Sequence, residues 1–376
     1  MKITKDLIIN SLKKVIDPDL HKDLVTLGMI EGVEVNDSEV KFKLMLTTPA
    51  CPLKEKLKND CIKAIKEDLG SDINVHIELG SRVRQNKQPS KESIVPGVKN
   101  IILVASGKGG VGKSTVAVNL AISLGKTGAK VGLIDADIYG PSIPLMFNLT
   151  DHKPDVYEKE GVTRIVPVEK YGIKLISIGF FVDPEKALIW RGPMASNALK
   201  QLFTDVDWGN LDYLIVDTPP GTGDIHLTLV QMLPIAGVAI VTTPQEVAMA
   251  DARKAINMFR QEGINVPVLG LIENMSYFTP AELPDNKYFL FGKNGGKKLA
   301  EEMKTPLLGN IPIIESICES GDSGEPVSLK NSSPESMAFM HLAEQLSCQL
   351  SVWSTFKEII DVEKHEGGCN CNNNKV

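Results

Sequence analysis

Residues 101–114 read IILVASGKGGVGKS, a short apolar run that passes into a glycine-rich loop closing on Lys113 and Ser114. From Gly107 onward the spacing G-x-x-x-x-G-K-S fits the Walker A pattern. It also sits in the context that gives the pattern meaning, between an expected strand at 101–105 and an expected helix starting near Lys113. Glycines let backbone N–H groups turn inward around phosphates, and the following helix N-terminus adds a favourable dipole for anionic oxygens. Gly107, Lys108, Gly109, Gly110, Val111, Gly112, Lys113, Ser114 and Thr115 are therefore expected to cradle a nucleotide. Lys113 is assigned to the β- and γ-phosphates, and the Ser114 hydroxyl to Mg²⁺.

Outward from this loop, short apolar stretches at 131–135, 175–178, 213–217, 238–242 and 268–274 alternate with helical patterns. Such spacing predicts an α/β fold, a P-loop NTPase whose mainly parallel sheet is flanked by helices on both faces. Ligands of these sheets bind at the carboxyl ends of the strands. Three carboxylates fall there: Asp135 and Asp137 after one strand, and Asp217 after another. Asp217 has the Walker B position, an acid after a buried strand that holds Mg²⁺ directly or through water, and Asp135 is expected to support the magnesium shell. A lone aspartate after a strand is more often a cap, but the Walker A loop changes that reading. A last core helix is expected to start at Pro334, capped by Ser333.

The first 80 residues carry a different pattern. An apolar-periodic helix (Ile8, Leu12, Val15) precedes alternating segments around Val33–Val35 and Val40–Leu46, joined by a turn at Asn36-Asp37. A helix across 53–69 and an alternating strand at Ile73, Val75 and Ile77 complete a small α+β domain. The polar stretch 81–97 reads as a linker, 98–350 as the ATPase domain, and 351–376 as an amphipathic segment with a tail, HEGGCNCNNNKV. Val352, Trp353, Phe356, Ile359 and Ile360 share one helical face of that segment. Glu358, Asp361 and Glu363 oppose Lys357 and Lys364 on the polar face, which argues against anionic lipid.

A formal net charge of −6 provides no global positive field for nucleic acid or an anionic membrane. The N-terminus lacks the apolar core and cleavage site of a secretory signal, and no apolar run approaches the ~18 residues of a transmembrane helix. A cytoplasmic protein without nucleic-acid or stable membrane association is expected. The six cysteines, Cys51, Cys61, Cys318, Cys348, Cys369 and Cys371, are scattered apart from the last pair. In a reducing compartment a close pair points to metal or redox chemistry.

KGGVGKST, with Lys108 directly after the first glycine, resembles the deviant Walker A of the MinD/ParA superclass. That resemblance implies that Lys108 reaches across a homodimer to the partner's phosphates, and that Asp137, at the switch I position, orients the attacking water. DADIYGPSIP, WRGPMASNAL, VDTPPGTGDIHLTL, TTPQEVAMAD and GLIENMSYF are similar to the signature blocks of the Mrp/ApbC family of iron-sulfur cluster carrier ATPases, and Asn274 matches that family's adenine-contacting position. IDPDLHKDLVTLGMI and LTTPACPLKEKL resemble the iron-sulfur assembly domain often fused to that family, in which Cys51 is the functional candidate. Cys51 reads either as that thiolate, favoured by a nearby helix N-terminus, or as a small buried hydrophobe.

One departure stands out. The family's Cys-x-x-Cys after ENMSYF is missing, since residues 279–292 read TPAELPDNKYFLFG. Cys369 and Cys371 could substitute, two thiolates per chain giving a dimer the four sulfurs of a [4Fe-4S] cluster; the alternative is that these tail thiols are incidental. Cys318 and Cys348 show no partner spacing, and Cys61 reads as core. The function implied is a carrier that hydrolyses ATP to ADP and phosphate while loading or transferring a [4Fe-4S] cluster. Its partners would be a second copy, a cluster donor and apoprotein recipients. The competing reading is a MinD/ParA-like spatial organiser without a cluster.

Overall fold

In the computed structural model the chain divides into two units, Met1–Arg84 with Ser347–Val376, and Gln85–Leu346. The structure describes all residues except 1–2, 38, 86–93, 160, 183–191, 281, 284 and 367–376, and except the side chains of 193 and 357–366. Cys369, Cys371, the side chains of Ile359 and Ile360, and part of the expected linker thus lie outside what is described.

The smaller unit begins with α1 (Lys5–Leu12), whose first turn is capped by the Thr4 hydroxyl accepting from Leu7 N at 3.4 Å. Two short paired strands follow, β1 (Ile16–Asp17) and β2 (Lys22–Asp23). β3 (Ile30–Asn36) and β4 (Glu39–Leu46) form the antiparallel hairpin that the alternation predicts, with Val35 opposite Val40. After α2 (Lys54–Leu69), β5 (Asn74–Ser81) returns parallel to β4. Every second residue of β4, from Val40 to Leu46, is buried against Ile8 and Leu12 of α1 and Leu57, Cys61 and Ile65 of α2. Period-2 and period-3.6 patterns therefore meet on one core. Cys61 is fully buried in it, as the sequence suggests.

In the larger unit an eight-stranded sheet carries the chemistry. Its elements are β6 (Val98–Ser106), α3 (Lys113–Lys126), β7 (Val131–Asp135), α4 (Ile143–Met146), the hairpin β8 (Val156–Lys159) and β9 (Val162–Ile165), β10 (Val168–Lys170), β11 (Ile173–Ser177), α5 (Gly192–Thr204), β12 (Leu211–Asp217), α6 (Asp224–Met232), β13 (Ile235–Thr242), α7 (Glu246–Arg260), β14 (Val268–Glu273), α8 (Gly295–Glu302), β15 (Leu307–Asn310), α9 (Glu315–Ser323) and α10 (Pro334–Glu366). The strand order is β10-β11-β7-β12-β6-β13-β14-β15, and only the edge pair β10–β11 is antiparallel. β7, β13 and β14 are buried along their whole length, the signature of parallel strands covered on both faces.

α10 starts at the expected proline, with Ser336 N donating to Ser333 Oγ at 3.3 Å. It does not stop at residue 350. No glycine or proline interrupts 335–366, so one helix runs through, and from Ser347 on it belongs to the smaller unit, where Val352 packs on the core. The amphipathic segment is thus the end of a core helix rather than a separate piece. Among the described residues no helix is long and apolar enough to cross a membrane.

Candidate nucleotide site

β6 lies between β12 and β13, so the loop it feeds opens at the middle of the sheet's carboxyl edge. Gly110 and Gly112 have φ of +79° and +78°, a region in which a side chain would be strained. A Cβ on Gly107 would collide with the backbone of Asp251 in the second turn of α7, and one on Gly112 with the Asn274 amide. The Ser106 hydroxyl donates to Lys108 O at 2.9 Å, which fixes the loop's first turn. Lys108 itself is half-buried on that turn, and Ser114 and Thr115 open α3 beside it.

Asp217 pairs in register with Asp135 on β7, so the two carboxylates emerge side by side. Lys113 Nζ, nine-tenths buried, bonds Asp217 Oδ1 and stands 4.0 Å from Asp137 Oδ2. One ammonium thus faces three buried or half-buried carboxylates. Burial raises Asp217 while Lys113 and Ser114 act against the rise; burial and the Asp217 charge push Asp135 up to about 7, and burial also raises Asp137. Asp135 uses both oxygens within the protein. It accepts from Asp137 N (3.2 Å) on one and from Ser177 Oγ (2.9 Å) and Ile143 N (3.2 Å) on the other. It pins the 136–143 loop and has little left for a metal.

Asp217 Oδ2 and Asp137 Oδ1, in contrast, are buried without a hydrogen-bond partner. Two unsatisfied carboxylate oxygens beside the Ser114 hydroxyl, in a site with excess negative charge, are a hard-oxygen donor set that fits Mg²⁺.

Asn274, at the end of β14, donates Nδ2 to Val111 O at 2.8 Å. The residue expected at the adenine therefore clamps the phosphate loop itself. Two further residues complete the corner after Asp217. The Thr218 hydroxyl donates to Val104 O at 3.1 Å, and His226 Nε2 of α6 lies 3.2 Å from the same hydroxyl. Burial lowers His226 to about 4, so its imidazole is neutral at ordinary pH.

A family described as ParA, the NUBPL iron-transfer P-loop NTPase, matches residues 97–347. The chain belongs to this family. A second, described as iron-sulfur cluster assembly protein, matches residues 5–78. The chain is 48% identical over 353 residues to the iron-sulfur cluster carrier protein of Synechocystis sp., covering 93% of this chain and 99% of that one. It is 41% identical over 334 residues to the Escherichia coli protein of the same name, covering 89% of each. Among solved structures, a nucleotide-binding protein from Archaeoglobus fulgidus in complex with ADP shares 37% identity at a TM-score of 0.54, covering 63% of this chain and 91% of that one. The family match and the loop geometry agree: the larger unit is a P-loop ATPase.

Cys51 and Cys348, which no sequence spacing connects, both belong to the smaller unit. Cys51, in the loop before α2, packs beside its core, and Cys348 of α10 donates its thiol to Asp19 Oδ2 at 3.1 Å. Burial, that hydrogen bond and the charges of Asp19, Cys51 and Asp17 hold the Cys348 thiol well above its ordinary range. Residues 51 and 348 are too far apart in sequence for spacing to have paired them. Exposed Cys318 lies on α9.

Proposed function

We propose that the chain is a cytoplasmic, homodimeric iron-sulfur cluster carrier that binds and hydrolyses ATP to load a [4Fe-4S] cluster and pass it to apoproteins. The observation that carries the ATPase half is the buried Lys113–Asp217–Asp137 group with its two unsatisfied carboxylate oxygens. The carrier half is supported by relatives named iron-sulfur cluster carrier protein across nearly the whole chain, assembly domain included.

In this reading ATP draws Lys113 from Asp217 to its β- and γ-phosphates, and inward N–H groups of 107–115 hold the remaining phosphate oxygens. Ser114 and the released Asp217 would hold Mg²⁺, which supplies charge neutralisation on the phosphate oxygens. Asp137, half-enclosed and raised by burial, is suited to orienting the attacking water. Lys108, held on the rim of the loop, would act in trans on the partner's nucleotide. Tyr139, Leu227 and Val247 are 64%, 37% and 68% exposed, and all three follow carboxyl ends of sheet strands, giving the nucleotide edge apolar surface for a second copy. Cys369 and Cys371 remain the proposed cluster ligands.

Anaerobic reconstitution with iron and sulfide tests the carrier half. Wild type should retain a cluster, and Cys369→Ser/Cys371→Ser should lose it while still hydrolysing ATP. A wild-type protein that holds no iron would overturn the carrier reading and leave the ATPase.

A further inference from the structure

The loop from Thr218 to the first turn of α6 has buried feet and an exposed tip. Thr218, directly after Asp217, and His226, in the first turn of α6, are buried, whereas Pro220 and residues 222–224 face solvent. The tip leans on the phosphate loop. Gly221 N donates to Ser106 O at 2.9 Å, and the Pro220 ring stands 4.0 Å from the point where a Cβ on Gly109 would sit. The feet meet in one side-chain contact, His226 Nε2 with the Thr218 hydroxyl at 3.2 Å. The same hydroxyl donates to Val104 O of β6 at 3.1 Å, so α6, β12 and β6 are joined at a single oxygen. On its other side the imidazole meets the Phe259 ring of α7 edge-on, with 6.1 Å between centroids. An apolar side chain could fill that space; what the imidazole adds is a nitrogen at the Thr218 hydroxyl.

We propose that His226 is a positioning residue for ATP hydrolysis: by tying Thr218 to α6 it fixes the strand end that carries Asp217 and holds the 218–224 loop on the rim of the phosphate loop. It touches neither nucleotide nor metal, and acts through Thr218 alone. The role rests on the ATPase reading and is independent of the cluster. Without the tie, the Asp217 strand end and the loop tip at Gly221 gain freedom, and a displacement of about 1 Å at a reacting centre costs up to about 100-fold in rate. Phosphate binding by Lys113 and the glycine loop does not pass through His226, so the loss falls on kcat and not on KM.

Steady-state ATP hydrolysis by the full chain is the test. His226→Leu keeps an apolar filling and loses the nitrogen: kcat should fall about 10- to 100-fold while KM for ATP stays within about twofold. His226→Gln, whose amide reaches about as far as Nε2, should recover most of the lost rate. Thr218→Val breaks the same contact from the other foot, so His226→Leu/Thr218→Val should lose no more than Thr218→Val alone. If His226→Leu does not fold, Thr218→Val against Thr218→Ser carries the comparison, with the rate lost in the first and kept in the second. Wild-type kcat in a folded His226→Leu or in Thr218→Val, no recovery in His226→Gln, or losses that multiply in the double variant would overturn the proposal. A wild-type chain that does not hydrolyse ATP would overturn the ATPase reading itself, and the positioning role with it.

Discussion

Asn274 donates its side-chain amide to the carbonyl oxygen of Val111 at 2.8 Å, tying the phosphate loop to β14, a strand that is not the neighbour of β6. The bond spans 163 residues of sequence and leaves the glycine loop little freedom to open.

Asn274→Ala removes the donor and leaves a buried carbonyl without it, a loss of about 1–3 kcal/mol for such a group. Calorimetric titration with ADP should show affinity falling by roughly 5- to 150-fold. Unchanged affinity would mean the clamp plays no part in preorganising the loop.

Lys113→Met should abolish ATP hydrolysis and also destabilise the nucleotide-free protein, since it strips Asp217 of its ion partner inside the sheet. Removing one member of a buried pair costs about 3–5 kcal/mol, whereas neutralising both costs far less. Urea unfolding should therefore find Lys113→Met/Asp217→Asn more stable than Lys113→Met alone.

Gly107→Ala tests the close approach of α7. An added methyl meets the Asp251 backbone, which cannot move without shifting α7 itself. A loss of roughly 1–3 kcal/mol, the range for overpacking, should accompany loss of nucleotide binding. A variant of wild-type melting temperature would contradict the packing described.

His226 makes stability pH-dependent. Its folded value of about 4 lies below the ordinary 6.5, so the unfolded chain takes up the proton first as pH falls. Stability that is present above pH 6.5 is therefore lost on the way down to 4. Between about pH 7 and pH 5 wild type should lose roughly 2 kcal/mol more than His226→Gln in denaturant titrations. Parallel losses in the two proteins would show that the histidine is not held neutral.

The phosphate loop and sheet were legible because their signals are local. Gly107 to Ser114 lie in one run, and apolar runs such as Ile235–Thr242 announce a covered parallel strand. The hairpin β8–β9 and the edge strand β10 were not foreseen: their burial alternates weakly, with Val156 and Val162 exposed, so they carry little periodic signal. Roles that depend on tertiary contact were hidden as well. Asp135 also holds Ser177 and Ile143, and Asn274 also binds Val111, contacts that no local pattern announces. Cys348 showed no partner spacing because its neighbours, Asp19 and Cys51, are some 300 residues away.

Cluster delivery tests the proposed coupling between ATP hydrolysis and cluster transfer. Reconstituted wild-type protein should activate an aconitase-type apoprotein, with delivery accelerated by Mg-ATP in wild type and unaffected by it in Lys113→Met and Lys108→Ala. Delivery at the same rate with and without ATP, or equal acceleration in Lys113→Met, would contradict an ATP-driven carrier.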